Sequence, residues 1–149
     1  MSDATVQAQF PEELTQDEKA YAGLAHALML STWWIAPLII YFVRKESRFV
    51  RFHAMQALLW QIIFSVLYCA GMAVFFVVVM ASALSVHGKP AQPEKFPVAI
   101  FLAMPLIWLL AMGGFAISMT LGITYCLKAM RGQWAEYPVI GNWARRIAG

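Results

Sequence analysis

The sequence predicts an all-α, polytopic membrane bundle of three transmembrane spans with interfacial segments on the cytoplasmic side. Three observations carry that prediction. Of 149 residues, 61% are hydrophobic and 13% charged, whereas soluble domains run roughly 45–50% apolar and about 25% charged. A chain this short has too high a surface-to-volume ratio to hide so much apolar side chain from water, so lipid must be the solvent for much of it. Third, the stretches Ala20–Val43, Ala54–His87 and Phe96–Leu127 contain no Asp, Glu, Lys or Arg, and each exceeds the ~20 residues a helix needs to cross hydrocarbon.

The N-terminal residues 1–19 form a polar, acidic tail with Lys19 as its one cation. Thr15-Gln-Asp-Glu18 has capping-box form, which satisfies orphan N–H groups where a helix begins. The transmembrane domain runs over 20–131, with spans at about 20–43, 54–87 and 96–127. In the first span, Trp33-Trp34 lies midway, although tryptophan favours the interface, and Pro37 follows closely. A re-entrant segment is the alternative there, and it would put the N-terminus inside. The first loop carries Arg44, Lys45, Arg48 and Arg51, and the C-terminal tail Lys128, Arg131, Arg145 and Arg146; the second loop has only Lys89 and Lys95. The positive-inside rule places the first loop and C-terminus in the cytoplasm, and the N-terminal tail and second loop outside a bacterial inner membrane. Pro90 and Pro93 mark the second loop, Pro105 a kink or break in the third span, and Gly132 the end of its helix. Residues 132–149 read as a basic cytoplasmic tail with a short interfacial helix.

Small and polar residues recur at four-residue spacing. The second span holds His53, Ala57, Gln61, Ser65, Cys69 and Ala73; the third Gly114, Ser118, Gly122 and Cys126; the first Gly23, Ala27 and Ser31. Such rows let helix backbones approach closely, which in lipid replaces the missing hydrophobic drive for association. They read as packing seams, and Cys69 and Cys126 as reduced packing residues. Gln61 lies about two turns inside its span, where an amide must be hydrogen-bonded. It reads as an interhelical bond, with a polar lining of a water path as the alternative.

His26 and His53 could ligate haem, a pigment or a metal through a ring nitrogen. Without attachment cysteines or nearby carboxylates they read as packing histidines, and no cofactor is expected. No acidic residue lies in a span and no nucleophile–base–orienter set is visible, which points away from an enzyme and from a proton relay built on carboxylates. A formal charge of +3 is too modest to suggest nucleic acid. Arg48, Arg51 and His53 alternate with Phe49 and Phe52, as suits an interfacial segment with rings at the acyl boundary. In the tail, Ile140, Trp143 and Ile147 share one helical face while Arg145 and Arg146 point elsewhere. Anionic lipid headgroups, or a negatively charged partner protein, are the contacts expected for these cations.

Arg48-Phe-Val-Arg-Phe-His-Ala-Met-Gln-Ala57 closely resembles the signature of a large family of small prokaryotic membrane proteins of unknown function. That family is distantly related to the pore-associated subunit of the chloroplast inner-envelope Tic translocon. The resemblance extends to Leu24-Ala25-His26 and to the closing run Gly132–Gly141, covering roughly residues 20–146. It implies a helical membrane bundle with both motifs on one side. The import subunit is described with four helices, where this chain supports three spans. The expectation is a non-enzymatic accessory or scaffold subunit of a larger membrane complex, acting through other membrane proteins or self-association. An oligomeric channel or translocation-like component is the runner-up, and haem or pigment binding through His26 or His53 the third reading. Arg51 and His53 are expected to anchor the second span at the cytoplasmic face.

Overall fold

The computed structural model describes residues 13–86 and 98–148; the second-loop signals at Lys89, Pro90, Pro93 and Lys95 fall outside them. Among the described residues there are five helices: α1 Gln16–Thr32, α2 Ile35–Val43, α3 Arg48–Val86, α4 Val98–Met130 and α5 Gly141–Ala148. Two are long and apolar enough to cross a membrane, over Arg48–Leu84 in α3 and Met104–Met130 in α4.

Local chemistry explains the ends. At the start of α1 the Thr15 hydroxyl accepts from the Glu18 N–H at 3.2 Å and the Glu18 carboxylate accepts from the Thr15 N–H at 2.8 Å, which is the capping box. Ser47 caps α3, its hydroxyl accepting from the Val50 N–H at 3.3 Å. Gly132 ends α4 at φ 75°, with the Gln133 N–H on the Lys128 carbonyl and the Gly132 N–H on the Ala129 carbonyl. This is the Schellman arrangement, in which glycine's freedom at positive φ lets the last carbonyls be satisfied. Pro105 sits eight residues into α4, where it forfeits one intrahelical bond.

The expected span at 20–43 is corrected. α1 stops at Thr32, and Trp33 takes φ 59°, ψ −127°, a backbone region that L residues avoid, so the chain reverses before α2. The break falls at the paired tryptophans rather than at Pro37. Pro37 is the third residue of α2, inside the first turn, where a missing N–H leaves no helical bond unmade. Both ends of this helix–turn–helix meet the same neighbourhood. Glu18 and Ser47 line one cleft, the Arg44 guanidinium lies 4.0 Å over the Tyr21 ring, and Lys19 flanks Gly132.

The chain forms two compact units. The first joins residues 13–63 with 117–148, and its core gathers Ala22 of α1, Phe49, Phe52 and Met55 of α3, Ala129 of α4, Trp134, and Ala144 of α5. The second comprises residues 64–116. Within it the Phe64 ring covers Gly114, where a Cβ would meet the ring at 2.6 Å. None of residues 64–84, 101 and 104–116 is buried.

Candidate functional site

The first unit is organised around the start of α3. With 3.6 residues per turn, Phe49, Phe52, His53 and Gln56 fall on one face, and all four are buried. α1 brings His26 against them, and the segment after α4 brings Gln133, Ala135 and Tyr137. The His53 Nε2 lies 3.1 Å from the Gln133 carbonyl, its Nδ1 3.0 Å from His26 Nε2, and His26 Nδ1 2.9 Å from the Tyr137 hydroxyl.

The direction of this relay follows from its end. A carbonyl oxygen only accepts, so in neutral rings His53 carries its proton on Nε2 and His26 carries its own on Nε2, donating to His53 Nδ1. His26 Nδ1 then accepts from Tyr137. Burial pushes the Tyr137 hydroxyl well above its ordinary pKa, so the phenol keeps the proton that it donates. Rings close the shell: Phe49 and Phe52 stand edge-on to His53 at 4.6 and 5.2 Å between centroids, and Tyr137 stacks on His26 at 5.4 Å and meets Tyr125 at 4.2 Å.

A second set of bonds fixes the post-α4 segment. The Gln56 amide donates to the Ala135 carbonyl at 3.0 Å and accepts from the Tyr137 N–H at 2.5 Å. Tyr125 donates to the Glu136 carbonyl at 2.7 Å, and Arg145 of α5 pairs with the Glu136 carboxylate. Further along α3, Gln61 donates to the Met29 carbonyl in the last turn of α1 at 2.9 Å, and Trp60 donates to the Ser118 hydroxyl at 3.0 Å.

Chemically, the cluster is closed. All four imidazole nitrogens have a protein partner, so iron or another metal on either histidine would have to displace one. Among the described residues no group of three or more His, Cys, Asp or Glu is placed to hold a metal ion. Arg44 Nε is the buried side-chain polar atom there without a hydrogen bond.

The remaining predicted residues distribute as follows. Gly23 faces Met130, whose Cγ would lie 2.6 Å from an added Cβ, and Gly122 faces Leu30 at 3.1 Å; Gln61 and Ser118 hold the bonds just given. Ala27 and Ser65 are half-buried, while Ser31, Cys69 and Ala73 are exposed. The expectation that His53 meets lipid or a partner is corrected, since it is fully buried. Phe49 and Phe52 likewise pack against Trp134 rather than at an acyl boundary. The alternating pattern that suggested an interfacial strip is read out by a helix, whose period is 3.6 and not 2. Arg51 is half-buried, donating to the Tyr41 hydroxyl at 3.4 Å, and Arg145 is engaged by Glu136, whereas Arg48 and Arg146 are exposed. In the tail, Trp143 and Ile147 are exposed but Ile140 is buried, so the three do not share one environment.

Gln56, Tyr125 and Tyr137 carry the site without having stood out in the sequence. Gln56 and Tyr137 do lie inside the two resembling motifs, and the structure shows that those motifs bond to each other.

No solved structure matches the chain. A UPF0132 membrane protein of Methanocaldococcus jannaschii is 25% identical over 114 residues, covering 76% of this chain and 61% of that protein. The chain therefore spans about three-fifths of the length of that curated relative. The profile of the MamF/MmsF proteins, the magnetosome magnetite crystal formation protein family, matches residues 17–144, and with the mutually bonded Arg48–Ala57 and Gln133–Tyr137 segments both inside that match, the chain belongs to this family.

Proposed function

We propose that the protein is a non-enzymatic accessory or scaffold subunit of a larger membrane assembly, and, from its family's description, of the assembly in which magnetite crystals form. The observation that carries this reading is the closed polar network. His26, His53, Gln56 and Tyr137 use their donors and acceptors on one another and on the backbone, tying α1, α3 and the tail together and leaving function to the outer surfaces. In the bacterial inner membrane the first loop and C-terminal tail face the cytoplasm by their cations. There Arg48 and Arg146 are exposed toward anionic headgroups or an acidic partner.

Two further readings have less support. A channel or translocation-like component, the role suggested by the distant resemblance to the Tic pore-associated subunit, would use Gln61 and Ser65 as lining, but the Gln61 amide is spent on Met29. Haem or pigment binding would need a ring nitrogen that the relay already uses. The test is gentle extraction of the tagged chain from native membranes at endogenous level, followed by sizing and mass spectrometry. Stoichiometric recovery of other membrane proteins is expected. Recovery of the chain alone or as a homo-oligomer, together with a bilayer current lost on Gln61→Leu, would replace the scaffold with the channel.

A further inference from the structure

We propose that α1 and α2 form a re-entrant hairpin that enters and leaves the bilayer on the side of the Arg44–Ser47 loop, with lipid acyl chains covering its exposed face. The charge-free stretch 20–43 is long enough to cross, yet its two ends are held together. Were it a span, residues 18 and 44 would lie on opposite faces of roughly 30 Å of hydrocarbon. Instead Glu18, Tyr21, Arg44 and Ser47 line one cleft, in which Arg44 stacks on Tyr21, while Lys19 lies against Gly132 just past the end of α4.

Depth follows from the neighbours. α1 runs antiparallel to the end of α4, with Gly23 against Met130 and Leu30 against Gly122. Met130 to Gly122 is eight residues, or ~12 Å of helix. Gln61, which grips the Met29 carbonyl, lies ten residues beyond Arg51, ~15 Å along α3. Both gauges put the turn near the middle of the hydrocarbon. Its lengths agree: nine residues of α2 rise ~14 Å, enough for half a crossing and no more.

The turn meets part of the demand lipid makes of irregular backbone, that its polar groups be satisfied by protein. Gln61 supplies the Met29 carbonyl, and the Ser31 and Thr32 hydroxyls donate back to the Leu28 carbonyl at 3.3 and 2.8 Å. The outward face is apolar and exposed at Leu24, Trp33, Trp34, Ile35, Ile39 and Phe42. An apolar surface of this size is not left to water, and the packing of α1 on α3 and α4, both apolar enough to span, through Gln61 on Met29 and Leu30 on Gly122 names lipid as its cover.

The experiment is single-cysteine mapping in the full chain with Cys69 and Cys126 replaced by serine. Cysteine is placed in turn at the exposed positions Gln16, Lys45 and Arg146, and sealed spheroplasts and inverted vesicles are treated with a membrane-impermeant maleimide. All three are expected to label from one side only, and Gln16 labelling from the side opposite Lys45 overturns the hairpin. Labelling of all three from outside would keep the hairpin and reverse the cytoplasmic orientation adopted above. A nitroxide on Ser31→Cys adds depth, with relaxation by oxygen exceeding that by a water-soluble nickel chelate. Relaxation dominated by nickel would place the turn in water, and protection from both reagents would put protein rather than lipid on this face; either result overturns the proposal.

Discussion

Residues 13–63 with 117–148 and residues 64–116 are two solutions to packing helices in one chain. The first buries histidines, glutamines and tyrosines and matches them atom by atom. The second buries none of residues 64–84, 101 and 104–116, and its large side chains, Val66, Leu67, Phe76, Leu109 and Leu110 among them, are exposed. The difference teaches where specificity resides. Apolar side chains facing lipid gain little from any particular neighbour, because lipid tails are as apolar as leucine. A buried amide or imidazole has few acceptable arrangements, since an unmet donor or acceptor is strongly penalised. The polar unit fixes one geometry, and the apolar one accepts many sequences.

The largest effect expected from this contrast is at Gln56. Gln56→Leu removes two bonds and leaves the Ala135 carbonyl and Tyr137 N–H buried and unmet, at about 1–3 kcal/mol each. Thermal unfolding in detergent should show a lowered Tm, and the histidine ring resonances should report a loosened His26–Tyr137 contact. Val77→Ala in the second unit, at an exposed apolar position, should change stability by about 0.5 kcal/mol or less. Equal losses in the two variants would break the comparison.

Glycines sharpen it next. A Cβ at Gly141 would meet Glu136 Cβ at 2.5 Å and its Cα at 3.2 Å, and one at Gly23 would meet Met130 Cγ at 2.6 Å. Nothing lies within 4 Å of such a Cβ at Gly71 or Gly113. Gly141→Ala and Gly23→Ala should destabilise by ~1–3 kcal/mol through overpacking, with Gly141 the worse because backbone must yield. Gly71→Ala and Gly113→Ala should be neutral or stabilising by up to ~1 kcal/mol, as expected for alanine in place of a helical glycine. Gly114, close under Phe64, is the position in the second unit that should behave like the first. A gain of ~1 kcal/mol is expected from Trp33→Gly, which relieves the positive φ at the turn; a lowered Tm there would mean that the indole's packing outweighs the strain.

What the sequence disclosed was what short-range chemistry decides. Thr15-Gln-Asp-Glu18 announced its capping box, Gly132 the end of α4, and two of the three charge-free stretches became long helices. Trp33-Trp34 and Pro37 raised the re-entrant alternative, but the exact break at Trp33 was not legible, because tryptophan is the wrong residue for its backbone angles; the grip of Gln61 on Met29 and the packing of Leu30 on Gly122 help to hold it. The histidine pair was visible as two residues, but their bond joins positions 27 apart and the Tyr137 bond positions 111 apart, which no local pattern encodes. His53 was misplaced for the same reason as Phe49 and Phe52: charge and ring alternate along the chain there, and a helix does not preserve alternation.

The smallest effect lies where the two ends of the hairpin meet. Glu18 has a carboxyl held below its ordinary pKa, first by the hydrogen bond from Ser47 and then by the Thr15 N–H. A depressed carboxyl contributes stability that is present above its unfolded pKa and is lost as pH falls through the folded one, so the loss lies on the acid side of the ordinary carboxylate range. The group is only partly buried, and solvent weakens what its partners contribute, so the slope should be shallow. In Glu18→Gln the acid limb of the stability profile should flatten, and in Ser47→Ala the Glu18 titration, followed by NMR, should move up toward the ordinary value. If the Glu18 titration is unchanged in Ser47→Ala, then the contact that brings Glu18 to the start of α3 is not made in solution. The comparison would narrow accordingly, leaving the histidine relay and Gln56 as the determinants of the first unit and the closure at its polar edge as incidental.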